Sequence, residues 1–137
     1  EIAKEHGNQI LVISLDIKRA TSTSGFVVTS YGGRQDTGLD ALQWIERVQE
    51  LGAGELLINS IDADGTREGF DRELIEKVRK ISAVPIIASG GAGKVSDFAD
   101  AAQAGADALL AASVFHSGEI SISQVKQALE QAGIEAR

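Results

Sequence analysis

Short apolar runs alternate along the chain with longer stretches in which apolar residues recur every three or four positions. Ile10–Leu15 (ILVISL) is too short for a helix and rich in β-branched residues, so it predicts a buried strand with Asp16 directly behind it. Residues 21–25 (TSTSG) predict a turn, Phe26–Thr29 a short hairpin arm, and Gly32, Gly33 and Gly38 a loop. Asp40–Leu51 has apolar residues at 41, 44, 45, 48 and 51, which is helical spacing; Asp40 with Gln43 fits a capping box and Gly52 a C-cap. Glu55–Ile61 predicts a second strand, followed by the loop DADGTREGF. Asp71–Ile81 puts Leu74, Ile75, Val78 and Ile81 on one helical face. Pro85–Ala88 and Ala108–Ala112 predict two more strands. Helices are expected over Val95–Ala104, closed by Gly105, and over Ser121–Ala132, opened by a Ser121/Gln124 box and closed by Gly133. Glu1–His6 reads as the tail of a helix.

Strands and amphipathic helices in strict alternation imply right-handed crossovers and a parallel sheet. The strands read as apolar on both faces, as in a sheet covered on both sides. LGAGELLINS (51–60) and AGADALLAAS (104–113) share Gly, Ala, Leu, Leu and Ser across an offset of two βα units. A repeated two-unit module is expected in a barrel assembled by duplication. A complete (βα)8 barrel takes ~250 residues, and these 137 residues supply four of its eight units as a single domain, 1–137. The fold expected is therefore a (βα)4 half of a TIM (βα)8 barrel, completed by a second half barrel. A flavodoxin-like open sheet, with helices on both faces, is the competing architecture.

Composition narrows the function classes. A net charge of −7 offers no basic field for nucleic acid or anionic lipid. No cysteine is present, which excludes disulfides and thiolate metal sites. No apolar stretch approaches the ~20 residues of a membrane span, and Glu1–Gly7 is not a signal peptide, so a cytoplasmic location is expected.

Ligands of parallel α/β folds bind beyond the carboxyl ends of the strands, and the chemistry-bearing residues gather there. Asp16, followed by Lys18 and Arg19, suits a general acid/base or equally an ion pair that fastens the loop. Asn59, Ser60, Asp62 and Asp64 follow the second strand; their spacing fails as a calcium loop and fits an Asp-Gly turn as well as a site. Residues 88–93 read ASGGAG. Bare N–H groups and the Ser89 hydroxyl before a helix suit a phosphate, and Ala112 and Ser113 add donors on the same side. Phosphate binding is favoured here over mere close packing. Glu55 opens the second strand and points to the opposite, amino-terminal end. His6 and His116 have no partner spacing for a metal, and Trp44 fits a buried helix face. No metal and no cofactor are expected.

With INSIDADGT, ASGGAG and AASVFH in order and at the right spacing, the sequence resembles the cyclase subunit family of imidazole-glycerol-phosphate synthase, from histidine biosynthesis. The resemblance runs from HGNQILVISLDIKR to GIEAR and corresponds to strands five to eight of that barrel. It implies a lyase/cyclase that takes ammonia from a glutaminase partner. The ammonia reacts with a bisphosphorylated ribulosyl substrate, giving imidazole glycerol phosphate and an aminoimidazole carboxamide ribonucleotide. By the same resemblance Asp16 is one of two catalytic aspartates. Lys18, Asn59 and Asp64 line the substrate site, Ser89, Gly90, Gly91, Ala112 and Ser113 form one of two phosphate clamps, and Glu55 belongs to the ammonia entrance. The second aspartate and clamp belong to the other half, so weak activity or none is expected without it. Because the two halves are related by approximate two-fold symmetry, a homodimer would set two copies of Asp16 across one mouth through an isologous interface. The amino-terminal half is the other candidate partner. Two further readings stay open: a non-catalytic, self-associating phosphate-binding module, and a paralogue serving surface-polysaccharide synthesis.

Overall fold

The computed structural model describes residues 1–137. The chain enters through a short helix α1 (Ile2–His6) and a 3-10 turn over Asn8–Ile10. Strand β1 (Val12–Arg19) then leads into an antiparallel arm, β2 (Phe26–Ser30) and β3 (Gln35–Asp40). There follow α2 (Ala41–Glu50), β4 (Glu55–Ser60), α3 (Arg72–Ile81), β5 (Ile86–Ser89), α4 (Val95–Gln103), β6 (Ala108–Leu110), a single-turn helix α5 (Ser113–His116) and α6 (Ile122–Gln131).

The sheet order is β3-β2-β1-β4-β5-β6, with β1, β4, β5 and β6 mutually parallel. Those four strands lie in chain order and never reverse direction across the sheet. Right-handed crossovers that always step the same way put every helix on one face. A flavodoxin-like sheet reverses at a switch point and so covers both faces. The architecture is thus a partial (βα)8 barrel, and the open-sheet alternative is excluded.

Alternation divides each strand between the two faces. Leu15, Ile17, Leu56, Ile58 and Ile86 turn to the helices and pack with Ile45, Val48, Leu74 and Val78 into one core cluster. A second cluster under β5 and β6 is centred on Phe98, which meets Phe70 edge-on at 5.5 Å and Phe115 at 5.6 Å. Trp44 packs against the first cluster, as its helical position predicts.

Helix ends follow the predicted chemistry with one simplification. Ser121 and Gln124 form a full reciprocal box, and the Asp71 carboxylate accepts from the Leu74 N–H. Asp40 accepts from the Leu42 and Gln43 N–H groups, without the return bond a box would have. Burial raises the Asp40 pKa, but bonds from the Ser24 and Gln43 N–H groups and from the Ser24 and Ser22 hydroxyls outweigh it and hold the carboxyl below its usual range.

Four expectations need correction. The first strand starts at Val12 and runs through Asp16 to Arg19, because the apolar side of its second half is carried by Leu15 and Ile17 alone. The glycine-rich loop contains strand β3, with Gly38 inside it at φ 74. The final strand stops at Leu110, and Ser113 begins α5. Only one face of the sheet is sealed by helices: on the other, Val12 is 46% and Leu110 43% exposed, and β1 presents Ser14, Asp16 and Lys18 there.

Candidate functional site

Strand register arranges the open face in rows. Asp16, Asn59, Ser89 and Leu110 are successive partners across β1, β4, β5 and β6, near the carboxyl ends. One row below come Ser14, Leu57, Ile87 and Ala108, and below that Val12 and Glu55. The fold therefore brings Asp16, Asn59 and Ser89 side by side. Asn59 Nδ2 donates to Asp16 Oδ1 at 3.0 Å. That bond fixes the carboxylate plane and leaves Oδ2 for another donor. Thr29, a buried residue of β2 that the sequence did not single out, donates its hydroxyl to the Asp16 carbonyl at 2.9 Å.

Two predicted residues stand apart from this row. Glu55 opens β4, four residues below Asn59, or about 13 Å along the strand. Lys18 is on the same face as Asp16, two residues further on, and its Nζ lies 3.9 Å from Asp36 Oδ2 on β3. It does not reach the recess described next.

Beyond Ser89 lies a cup of about 190 Å³. Six predicted residues line it: Asp64, Ser89, Gly90, Gly91, Ala112 and Ser113. Gly90 and Gly91 have φ of 91 and 104, a backbone that favours glycine. They are also pressed against a neighbouring loop. A Cβ on Gly91 would run into the Gly69 carbonyl oxygen, and one on Gly93 into that of Arg67. The Gly69 N–H donates to the Gly91 carbonyl at 2.8 Å. Below the loop, the buried Asp97 carboxylate accepts from the Gly93 and Lys94 N–H groups at 2.9 Å each. The N–H groups of Gly90, Gly91, Ala92 and Ala112 have no acceptor within the protein. Close packing is therefore real, and it coexists with a set of free donors.

The cup also holds a cation that sequence reasoning missed, Arg67. In DADGTREGF it is one surface charge among several, and no spacing marks it. Free N–H donors with one guanidinium suit a phosphate-sized anion. The adjacent Asp16–Asn59 pair suits proton transfer to whatever that anion anchors.

Arg19 points to the other side of the sheet and serves the fold. It bonds Glu73 at 2.6 Å and both oxygens of Asp71 at 2.8 and 2.9 Å, with Phe26 4.8 Å beneath its guanidinium. Its pKa is raised, chiefly by the Glu73 bond and against the opposing effect of burial. Glu73 is lowered by its bonds to Arg19 first and to Lys77 second. This network pins the end of β1 to the start of α3, so it keeps the Asp16 row in place. No helix is long and apolar enough to cross a membrane.

A family model described as histidine biosynthesis protein matches residues 1–121. The chain is 68% identical over 138 residues to the imidazole glycerol phosphate synthase subunit HisF of Leifsonia xyli subsp. xyli, covering 100% of this chain and 54% of that protein. It is 59% identical to the HisF subunit of Thermobifida fusca, covering 100% of this chain and 55% of the relative. For Bifidobacterium adolescentis HisF the identity is 56%, over 99% of this chain and 55% of the relative. The chain spans about half the length of these curated relatives.

Proposed function

Because the chain belongs to the histidine biosynthesis protein family, we propose that it forms the carboxy-terminal half of an imidazole glycerol phosphate synthase cyclase. In this reading it is a lyase/cyclase half-site working on a bisphosphorylated ribulosyl substrate with ammonia, in the cytoplasm. The products are imidazole glycerol phosphate and an aminoimidazole carboxamide ribonucleotide. The relatives' names support the histidine branch over the polysaccharide one.

One observation carries the reading: the Asp16–Asn59 pair shares a row with Ser89, whose loop opens the cup of free N–H donors. The cup holds one phosphate of the substrate. That anchorage brings the body of the molecule over Asp16, with Asn59 holding Oδ1 so that Oδ2 accepts or delivers the proton. Asp64 lies on the cup's wall and orients the anchored end. Lys18, beside Asp16 and paired with Asp36, supplies positive charge on the substrate's side of the face.

A second half barrel completes the site. The open-face band of Val12, Leu57, Ile87 and Leu110, exposed at its two ends and partly buried between, supports this, since a sheet with one bare face invites cover. An amino-terminal half, such as the longer relatives have room for, or a second copy of this chain meets the need. Glu55, at the far end of the sheet, faces the side where ammonia from a glutaminase would enter.

The test is turnover with ammonium and the bisphosphate, for the chain alone and with a supplied amino-terminal half. Asp16→Asn is expected to remove turnover by at least about 100-fold while substrate binding persists. Unchanged turnover in that variant refutes the proposal.

A further inference from the structure

We propose that Arg67 is a phosphate-binding residue of the cup, held ready by its backbone and moderated by Glu119. The proposal rests on the phosphate reading of the cup given above. The cup's wall carries one carboxylate, Asp64, and one cation, Arg67. A phosphate dianion entering beside Asp64 meets a like charge, and the free N–H groups alone leave that charge unbalanced. Arg67 is the group in the cup that can offset it.

Its geometry fits the task. Arg67 adopts φ 61, a left-handed conformation that an arginine takes at a cost. The backbone is locked there because its carbonyl packs against Gly93, where any Cβ would collide. From this fixed backbone Arg67 lines the cup. Nη1 bonds Glu119 Oε2 at 3.0 Å, and Glu119 Oε1 accepts from the Ser117 hydroxyl at 2.8 Å. Glu119 and Ser117 follow the Ala112–Ser113 wall, so Arg67 spans the rim from the loop after β4 to the segment after β6. Nε and Nη2 bond nothing in the protein. They form a fork that matches two phosphate oxygens. Glu119 meanwhile neutralises part of the guanidinium's charge, so it lowers the affinity the cup would otherwise have.

Backbone amide chemical shifts in a titration of the 137-residue chain with inorganic phosphate, at low and high sodium chloride, test this. Phosphate is expected to shift the Gly90, Gly91 and Ala112 amides. Arg67→Gly relieves the left-handed strain, so its Tm is expected to equal or exceed that of the unsubstituted chain. Its phosphate dissociation constant nonetheless rises about ten-fold, the loss of one charge-assisted interaction, with a shallower salt dependence. Arg67→Lys retains part of the affinity and Glu119→Gln binds about two- to three-fold more tightly. An unchanged dissociation constant and salt slope in Arg67→Gly, with the amide shifts present, overturns the role of Arg67 and leaves the cup reading intact. Absence of those shifts in the unsubstituted chain overturns both. If Arg67→Gly does not fold, Glu119→Gln decides: tighter binding supports the proposal, and unchanged or weaker binding overturns it.

Discussion

Replacing Gly91 by alanine tests whether the glycine loop is a packing device as well as a donor set. Three costs arise at one position. Alanine at φ 104 is strained, by about 1–2 kcal/mol. Its Cβ would overlap the Gly69 carbonyl, and relieving that overlap by moving a packed loop costs about 1–3 kcal/mol. The Gly69 N–H bond to the Gly91 carbonyl, 2.8 Å long, is then stretched, at about 1 kcal/mol. Together these give about 3–6 kcal/mol, a large part of the 5–15 kcal/mol that a domain commonly has. Gly118→Ala is the matched control. Its φ is 73, yet nothing lies within 4 Å of the added methyl, so only the conformational cost of about 1 kcal/mol applies. Urea unfolding at pH 7, read as midpoint times slope for each variant, gives the two losses directly. If Gly91→Ala loses no more than Gly118→Ala, the loop-on-loop packing has no energetic weight and the reasoning fails.

Two further substitutions follow from the same geometry. Asp40→Ala removes the α2 cap and is expected to cost about 1 kcal/mol at pH 7. Since the folded carboxyl titrates below its unfolded value, its stabilisation is complete above about pH 4 and is lost as pH falls through the lowered folded value. The gap between the two proteins in urea midpoints should therefore narrow in acid; a gap constant from pH 7 to pH 3 contradicts this. Phe98→Ala empties the centre of the second core cluster, where Phe98 is 1% exposed between Phe70 and Phe115. A loss of about 3–5 kcal/mol is expected in the same assay, and a loss under about 1 kcal/mol would mean that the cluster collapses without penalty.

What could be read from the sequence was whatever a local period or a helix terminus encodes. The α3 stripe of Leu74, Ile75 and Val78 is buried as its spacing requires, and the Ser121/Gln124 box caps α6. Strand β3 escaped because its residues are almost all exposed and its glycine reads as loop; it exists through pairing with β2 alone. The end of β1 escaped for a related reason. Past Leu15 its open-face positions are Asp16 and Lys18, so a search for apolar runs stops where the strand continues. Asp16, Asn59 and Ser89 could be gathered beforehand because parallel strands place their carboxyl ends together. Arg67 could not, since its left-handed backbone is set by Gly93 across the gap between two loops.

The sequence poses ASGGAG as a choice between close packing and a ligand, and the two have one physical origin. Glycines at 91 and 93 let the chain around Gly69 and Arg67 lie directly against the loop. Asp97 takes the Gly93 N–H from beneath, and Gly91 gives its carbonyl to Gly69. Once these inward bonds are made, the N–H groups of Gly90, Gly91 and Ala92 are left without acceptors beside the cup. A side chain at 91 would undo the inward packing first, and the donors that line the cup would shift with it. The packing is what holds the donors in position, so an alanine at Gly91 must weaken phosphate binding and stability together, whereas glycine at Arg67 separates them.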